Sequence, residues 1–290
     1  MIEGSLVALI TPFRNDEIDE DALRKMVRWQ IEQGTDGIVP MGTTGESATL
    51  NVKEHTRVTE IVVEETAARI PVIAGAGSNS TRSAINNNAR AQEVGADATL
   101  HVAGYYNRPS QEGLFRHFEA VHTASSIPII VYNIPPRAIV DIQPETMARI
   151  AALPRIVGVK DATGDLNRPI LEGLLIDTEF SFLSGEDGTA VAYNASGGNG
   201  CISVTANVAP SLCSQMQAAC RKGDFKAAGE IQKRLMPLHQ ALFTEPSPAG
   251  VKYAASLLGL CNEDCRLPIV PLTDEAKLAI RDAMSKLDLI

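Results

Sequence analysis

The chain has 290 residues, 44% of them hydrophobic and 21% charged, which is enough apolar material for one large α/β domain with an ample core. A formal net charge of -9 argues against a nucleic-acid surface, and means that an anionic substrate needs local cations. No apolar run approaches the roughly 18 residues of a membrane span, and Met1-Ile2-Glu3-Gly4 opens no signal peptide, so the cytoplasm is the expected location.

In chain order, short apolar runs alternate with amphipathic segments. The expected strands are Ser5–Ile10, Gly37–Met41, Pro71–Ala74, Ala98–Val102, Pro128–Tyr132, Ile156–Val159, Phe180–Leu183 and Cys201–Val204. Between the first two, Ala22, Leu23, Met26, Val27 and Ile31 recur near helical spacing. Later helices are marked by Val58, Ile61 and Val62, by Ala84, Ala91 and Val94, and by Leu114, Phe118 and Val121. Met147 and Ile150 mark a fifth, Leu171, Leu174 and Leu175 a sixth, and short helices are expected after Glu186 and Asn207. Eight strand–helix units with continuous apolar strands predict a (β/α)8 TIM barrel, with a doubly wound open sheet as the competing fold. Longer helical stretches at Asp224–Phe243, Pro248–Leu258 and Thr273–Leu287 divide the chain into a barrel, 1–222, and a C-terminal helical appendage packed on it, 223–290.

Barrel active sites lie where the strands end. One rim therefore receives Gly42-Thr43-Thr44-Gly45-Glu46-Ser47, Gly75-Ala76-Gly77, Tyr105-Tyr106-Asn107-Arg108-Pro109, Tyr132-Asn133, Arg137, Lys160 and Ser184-Gly185-Glu186-Asp187. A lysine desolvated on an apolar wall can act as an amine nucleophile, although Lys160 also reads as a plain surface residue after a strand. Tyr132 suits a proton relay with threonine hydroxyls, or simply fills the rim. Arg137 can grip a carboxylate in a bidentate manner, or form a surface salt bridge. Gly42–Ser47 lacks the lysine of a P-loop; its backbone N–H groups suit a small carboxylate, with a tight turn as the alternative. Together these residues point to imine capture of a carbonyl substrate by Lys160. The five histidines show no metal pattern, and Cys261-Asn-Glu-Asp-Cys265 has no second pair, so reduced thiols, no metal and no cofactor are expected. A pyridoxal-phosphate enzyme is disfavoured by the missing phosphate cradle.

Four of these stretches, Gly42–Ser47, Tyr105–Pro109, Tyr132-Asn133-Ile134-Pro135 and Gly158-Val159-Lys160-Asp161-Ala162, closely resemble the dihydrodipicolinate synthase / N-acetylneuraminate lyase family. The resemblance implies condensation of pyruvate with L-aspartate 4-semialdehyde on the route to diaminopimelate and lysine. It gives Lys160 the imine, and Tyr132, Thr43 and Tyr106 the proton relay, with Tyr106 supplied by a neighbouring subunit. It gives Thr44 the pyruvate carboxylate and Arg137 the semialdehyde carboxylate, and it places Gly185 and Ile202 along the site. A homotetramer built as a dimer of dimers is implied as well. Sibling reactions on sialic acids or 2-keto-3-deoxy sugar acids, and a paralog that binds 2-oxo acids without turnover, are the alternatives.

The sequence departs from the family's usual pattern at Ala103-Gly104, where Thr-Pro is common, and at Pro136, where glycine is common. The first is expected to loosen the backbone leading to Tyr106, the second to redirect Arg137. Ser47, Ala48, His55, Asn79 and Tyr105 match a lysine-feedback site, but Val52 and Ser83 replace a histidine and a glutamate of lysine-sensitive members. Losing that glutamate removes a charge-assisted bond of about 1.5–3 kcal/mol, so weak or absent lysine inhibition is expected.

Overall fold

Alternate residues of the apolar strands end in two different cores, one inside the sheet and one under the helices. In the computed structural model, which describes residues 1–290, the strands are β1 (Gly4–Ala8), β2 (Gly37–Val39), β3 (Ile73–Gly75), β4 (Ala98–Val102), β5 (Ile129–Asn133), β6 (Ile156–Asp161), β7 (Ser181–Ser184) and β8 (Gly200–Ser203). Each lies within two residues of an expected run. All pair in parallel in the order β2-β1-β8-β7-β6-β5-β4-β3. The ring closes through a bridge between Ile38 and Val72 and through Gly75 N–H donating to Pro40 O at 2.9 Å. The sheet is therefore a (β/α)8 barrel rather than an open sheet. Leu6, Val39, Ile73, Leu100, Ile130, Leu183 and Ile202 fill its interior. Their neighbours Val7, Ile38 and Val72, and farther round Ile129, Val131 and Val159, face the helices.

β6 breaks this alternation. Ile129 pairs with Ile156, but Ile130 pairs with Gly158, so Val157 is an extra residue in the ladder. Without the bulge, Val159 would pair with Tyr132 and face the barrel interior, and Lys160 would point at the helices. With it, Tyr132 pairs with Lys160. Gly158 suits the bulge because a Cβ there would lie 2.6 Å from Ser181 O. The strand also runs on through Asp161 instead of ending before the lysine.

The barrel helices are α1 (Glu20–Glu32), α2 (Val52–Thr66), α3 (Thr81–Glu93), α4 (Gln111–Ala124), α5 (Pro144–Ala151), α6 (Arg168–Gly173), α7 (Ala190–Ala195) and α8 (Pro210–Arg221). Asn51 and Glu54 close a capping box on α2, which fixes where the loop after β2 ends. Two helical expectations are corrected. α6 is only six residues long, and the face it buries is Arg168, Pro169 and Glu172. Leu171, Leu174 and Leu175, with Ile170, are exposed. The helix after Asn207 is not short but spans twelve residues of α8.

The C-terminal helices are α9 (Phe225–Ala241), α10 (Ala249–Leu257) and α11 (Asp274–Ser285). Leu235, Leu238, Val251, Ile280 and Met284 belong to the same continuous apolar cluster as Val7, Ile38 and Val58, so this region shares the barrel's outer core. No helix is long and apolar enough to cross a membrane.

Candidate active site

Lys160 reaches the mouth of the barrel from the interior face of β6. It is 7% exposed, its amine forms no ion pair, and Nζ lies 4.3 Å from the centre of the Tyr132 ring. Room for its arm comes from Gly185, where a Cβ would sit 3.2 Å from Lys160 Cε and 2.9 Å from the Ala162 Cβ. Gly185 is fixed there by its own N–H, which donates to Asp161 O at 2.6 Å. Ile202, buried on β8, belongs with Tyr132 to the apolar set that lines this interior. An amine held here faces an apolar wall with a phenol beside it.

Opposite stands the loop after β2. Gly45 N–H donates to Gly42 O and Glu46 N–H to Thr43 O, both at 3.1 Å, while the N–H groups of Thr43 and Thr44 donate to no carbonyl. Two free N–H groups in a tight turn suit a small carboxylate. Met41 and Glu46 bracket the turn with φ of 59° and 56°, unusual for residues with side chains. Gly75 on β3 lets the turn come close, since a Cβ there would lie 2.1 Å from Met41 O.

A cavity of about 460 Å³ opens above, lined among others by Thr43, Ser47, His55, Asn87, Tyr105 and Arg137. A smaller one of about 50 Å³ shares Thr43 and Ser47 and reaches Tyr132. Arg137 has no carboxylate partner, so the surface salt bridge considered for it is not formed. Arg137 follows Pro136 in Pro135–Ala138, one helical turn in whose first positions a proline costs no hydrogen bond. The following loop is tied back by Asn133 Nδ2, which donates to Asp141 Oδ1 at 2.8 Å, and by Arg168, which pairs with Asp141 and donates to Ile142 O at 2.9 Å.

Ala48 also lines the larger cavity, whereas Asn79 does not; its carbonyl instead accepts Asn107 Nδ2 at 2.9 Å. That bond steadies the loop that the Ala103-Gly104 departure was expected to loosen. Gly104 fits for lack of space, because a Cβ there would sit 2.9 Å from Pro109 Cγ. Tyr106, with φ of 70° and 87% of its surface exposed, lines neither cavity. Thr44, within the turn, is buried.

The sequence reading missed two buried polar groups. Next to Lys160 in the chain, Asp161 is buried, and Glu172 is buried 3.6 Å from Arg168. Burial, then the charge of Asp161, pushes the Glu172 carboxyl up to about 8, and burial also raises Asp161. Glu46 pairs with Lys252, 206 residues away. No local pattern announces such pairs; only an acidic residue inside a glycine-rich turn hinted at the second. Elsewhere, burial pushes the Cys261 and Cys265 thiols up to about 12, which makes both poor nucleophiles.

An unpaired amine, an unpaired guanidinium and two free N–H groups around one barrel mouth suit an enzyme that takes up carbonyl acids. Residues 1–287 match the model of the Dihydrodipicolinate synthetase family, and the chain belongs to that family. It is 59% identical over the full length of both chains to the 4-hydroxy-tetrahydrodipicolinate synthase of Parvibaculum lavamentivorans, and 57% to that of Rhodospirillum centenum. The crystal structure of the chloride-inhibited dihydrodipicolinate synthase from Acinetobacter baumannii, complexed with pyruvate, superposes with a TM-score of 0.97 at 42% identity, covering all of both chains.

Proposed function

We propose that the chain condenses pyruvate with L-aspartate 4-semialdehyde to give 4-hydroxy-tetrahydrodipicolinate, with Lys160 as the nucleophile. The observation that carries this is a buried lysine without a carboxylate partner, aimed by a bulge into the barrel mouth beside Tyr132. The amine attacks the pyruvate carbonyl and water leaves, giving a protonated imine. That imine draws electrons from C3, which loses a proton and attacks the semialdehyde carbonyl. The semialdehyde's own amino group then displaces Lys160 and closes the ring. Thr43 and Thr44 hold the pyruvate carboxylate, and the unpaired Arg137 takes that of the semialdehyde, which favours this acceptor over neutral sugar chains. Tyr132 and Thr43 move the protons; Gly185 and Ile202 shape the wall beside Lys160.

Tyr106 completes the relay in a neighbouring subunit, a role supported by its exposure. The exposed Ile170, Leu171, Leu174 and Leu175 on and after α6 offer a second apolar contact, so the assembly is a homotetramer, a dimer of dimers. Residues 1–222 act as the catalytic barrel and 223–290 as its appendage, in the cytoplasm. Ser47, Ala48, His55, Asn79 and Tyr105 form a feedback region in which lysine binds weakly, Ser83 having no charge to offer its amine.

Borohydride reduction with pyruvate, followed by peptide mapping, tests the reading. A lactyl-sized adduct on Lys160 is expected, together with turnover of the semialdehyde in a coupled assay that L-lysine half-inhibits only above about 1 mM. An adduct on another residue, or none, would sink the assignment.

A further inference from the structure

Glu46 belongs to the turn that carries Thr43 and Thr44, yet it lines neither cavity and its side chain is 3% exposed. Its two carboxylate oxygens are both taken by the C-terminal region. Oε1 accepts Lys252 Nζ of α10 at 2.5 Å, and Oε2 accepts the backbone N–H of Arg266 at 2.9 Å. Lys252 is itself fully buried, donates also to Asp264 O at 2.6 Å, and lies 4.0 Å from the centre of the Phe13 ring. The Arg266 guanidinium covers the same ring and bonds Glu54 at 2.6 Å, the residue that closes the α2 capping box. Both ends of the stretch from the substrate turn to α2 are thus clamped from 206 or more residues away.

The turn requires such a clamp. Left-handed φ at Met41 and Glu46 persists only where the surroundings over-determine it. A glutamate with φ of 56° and two charge-assisted bonds, the one to Lys252 buried, is fixed in backbone and side chain together. The free N–H groups of Thr43 and Thr44 lie three and two residues before it, in the same set of turns.

We infer that Lys252 and Glu46 are positioning residues for the pyruvate-carboxylate turn, so that the C-terminal helices set the affinity of a site they do not line. This rests on the reading that Thr43 and Thr44 hold the pyruvate carboxylate. Lys252→Met and the neutral double variant Glu46→Gln/Lys252→Met test it in the full-length protein, with KM for each substrate and borohydride trapping of Lys160 as readouts. A misplaced turn raises KM for pyruvate by roughly 10- to 100-fold. KM for the semialdehyde, bound at Arg137, stays unchanged, and saturating pyruvate still labels Lys160 fully. If the single variant does not fold, the double variant decides, because it leaves no unpaired buried charge. Wild-type KM for pyruvate in a folded variant, whatever its melting temperature, overturns the inference. So does an equal rise in both KM values, which marks a general loosening. Failure of wild-type Lys160 to trap pyruvate counts instead against the imine assignment, since the ratio of pyruvate KM values reads the turn independently.

Discussion

Lys160 and Lys252 form a natural pair. Both are buried at the ends of long apolar arms, and both hold the amine about one van der Waals layer above an aromatic ring, Tyr132 at 4.3 Å and Phe13 at 4.0 Å. Lys252 also has a carboxylate at 2.5 Å and a carbonyl at 2.6 Å, whereas Lys160 has neither. Burial is common to both, so burial does not make a lysine reactive. What separates them is partnership: the Lys252 amine is answered by a carboxylate and a carbonyl, while the Lys160 amine is left without either beside the Tyr132 ring.

The sharpest way to break the comparison is to remove each amine. Lys160→Met is expected to lower kcat by ~10⁴-fold or more, the scale seen when a nucleophile is lost. Its unfolding free energy should hold steady or rise, because no partner is left stranded. Lys252→Met strands Glu46 and should cost about 3–5 kcal/mol of stability. Urea unfolding of both proteins checks the opposition; equal losses of stability would erase it.

Arg137 extends the contrast to the guanidinium groups. Arg266 is consumed by Glu54 and Asp16, while Arg137 is free. Arg137→Ala should raise KM for the semialdehyde roughly 10- to 150-fold, the value of a charge-assisted bond, and leave borohydride trapping with pyruvate intact. An unchanged KM would assign the acceptor carboxylate elsewhere.

The last contrast is in pH dependence. Glu172 keeps its proton in the fold to about 8, against an ordinary value of 4.5. Between those values the unfolded chain has released the proton and the native one retains it, so stability falls as pH rises through this window, by an amount on the order of a few kcal/mol. His101 works in the opposite direction. Burial lowers it to about 3, so between 6.5 and 3 only the unfolded chain takes up the proton, and stability falls as pH drops. Glu172→Gln should flatten the alkaline limb alone, as read by unfolding at pH 5, 7 and 9. A limb unchanged in that variant would show that Glu172 is not its source.

Most of the architecture was legible because barrel strands are buried on both faces and therefore read as unbroken apolar runs; each of the eight appears within two residues of its expected place. α6 was misread for the converse reason. Leucines near helical spacing look like a core face, but here the buried face is Arg168, Pro169 and Glu172, which local pattern scores as surface. The candidate site was legible as a set of polar residues at strand ends. The pairings among buried charges were not, because Asp141 and Arg168, or Glu46 and Lys252, meet only once the chain has closed.

By itself the sequence determined eight strand–helix units and placed a lysine near the end of the sixth strand. It did not determine the direction in which that lysine points. Strict alternation from Ile156 would turn Lys160 outward into the helical layer. The extra residue at Val157, accommodated because Gly158 fits against Ser181, turns it inward beside Tyr132. A bulge is a property of two paired strands, and one strand's pattern does not specify it. For the same reason only the tertiary structure could leave Lys160 without a partner and give Lys252 one: whether a buried charge is answered depends on what the rest of the chain brings to it.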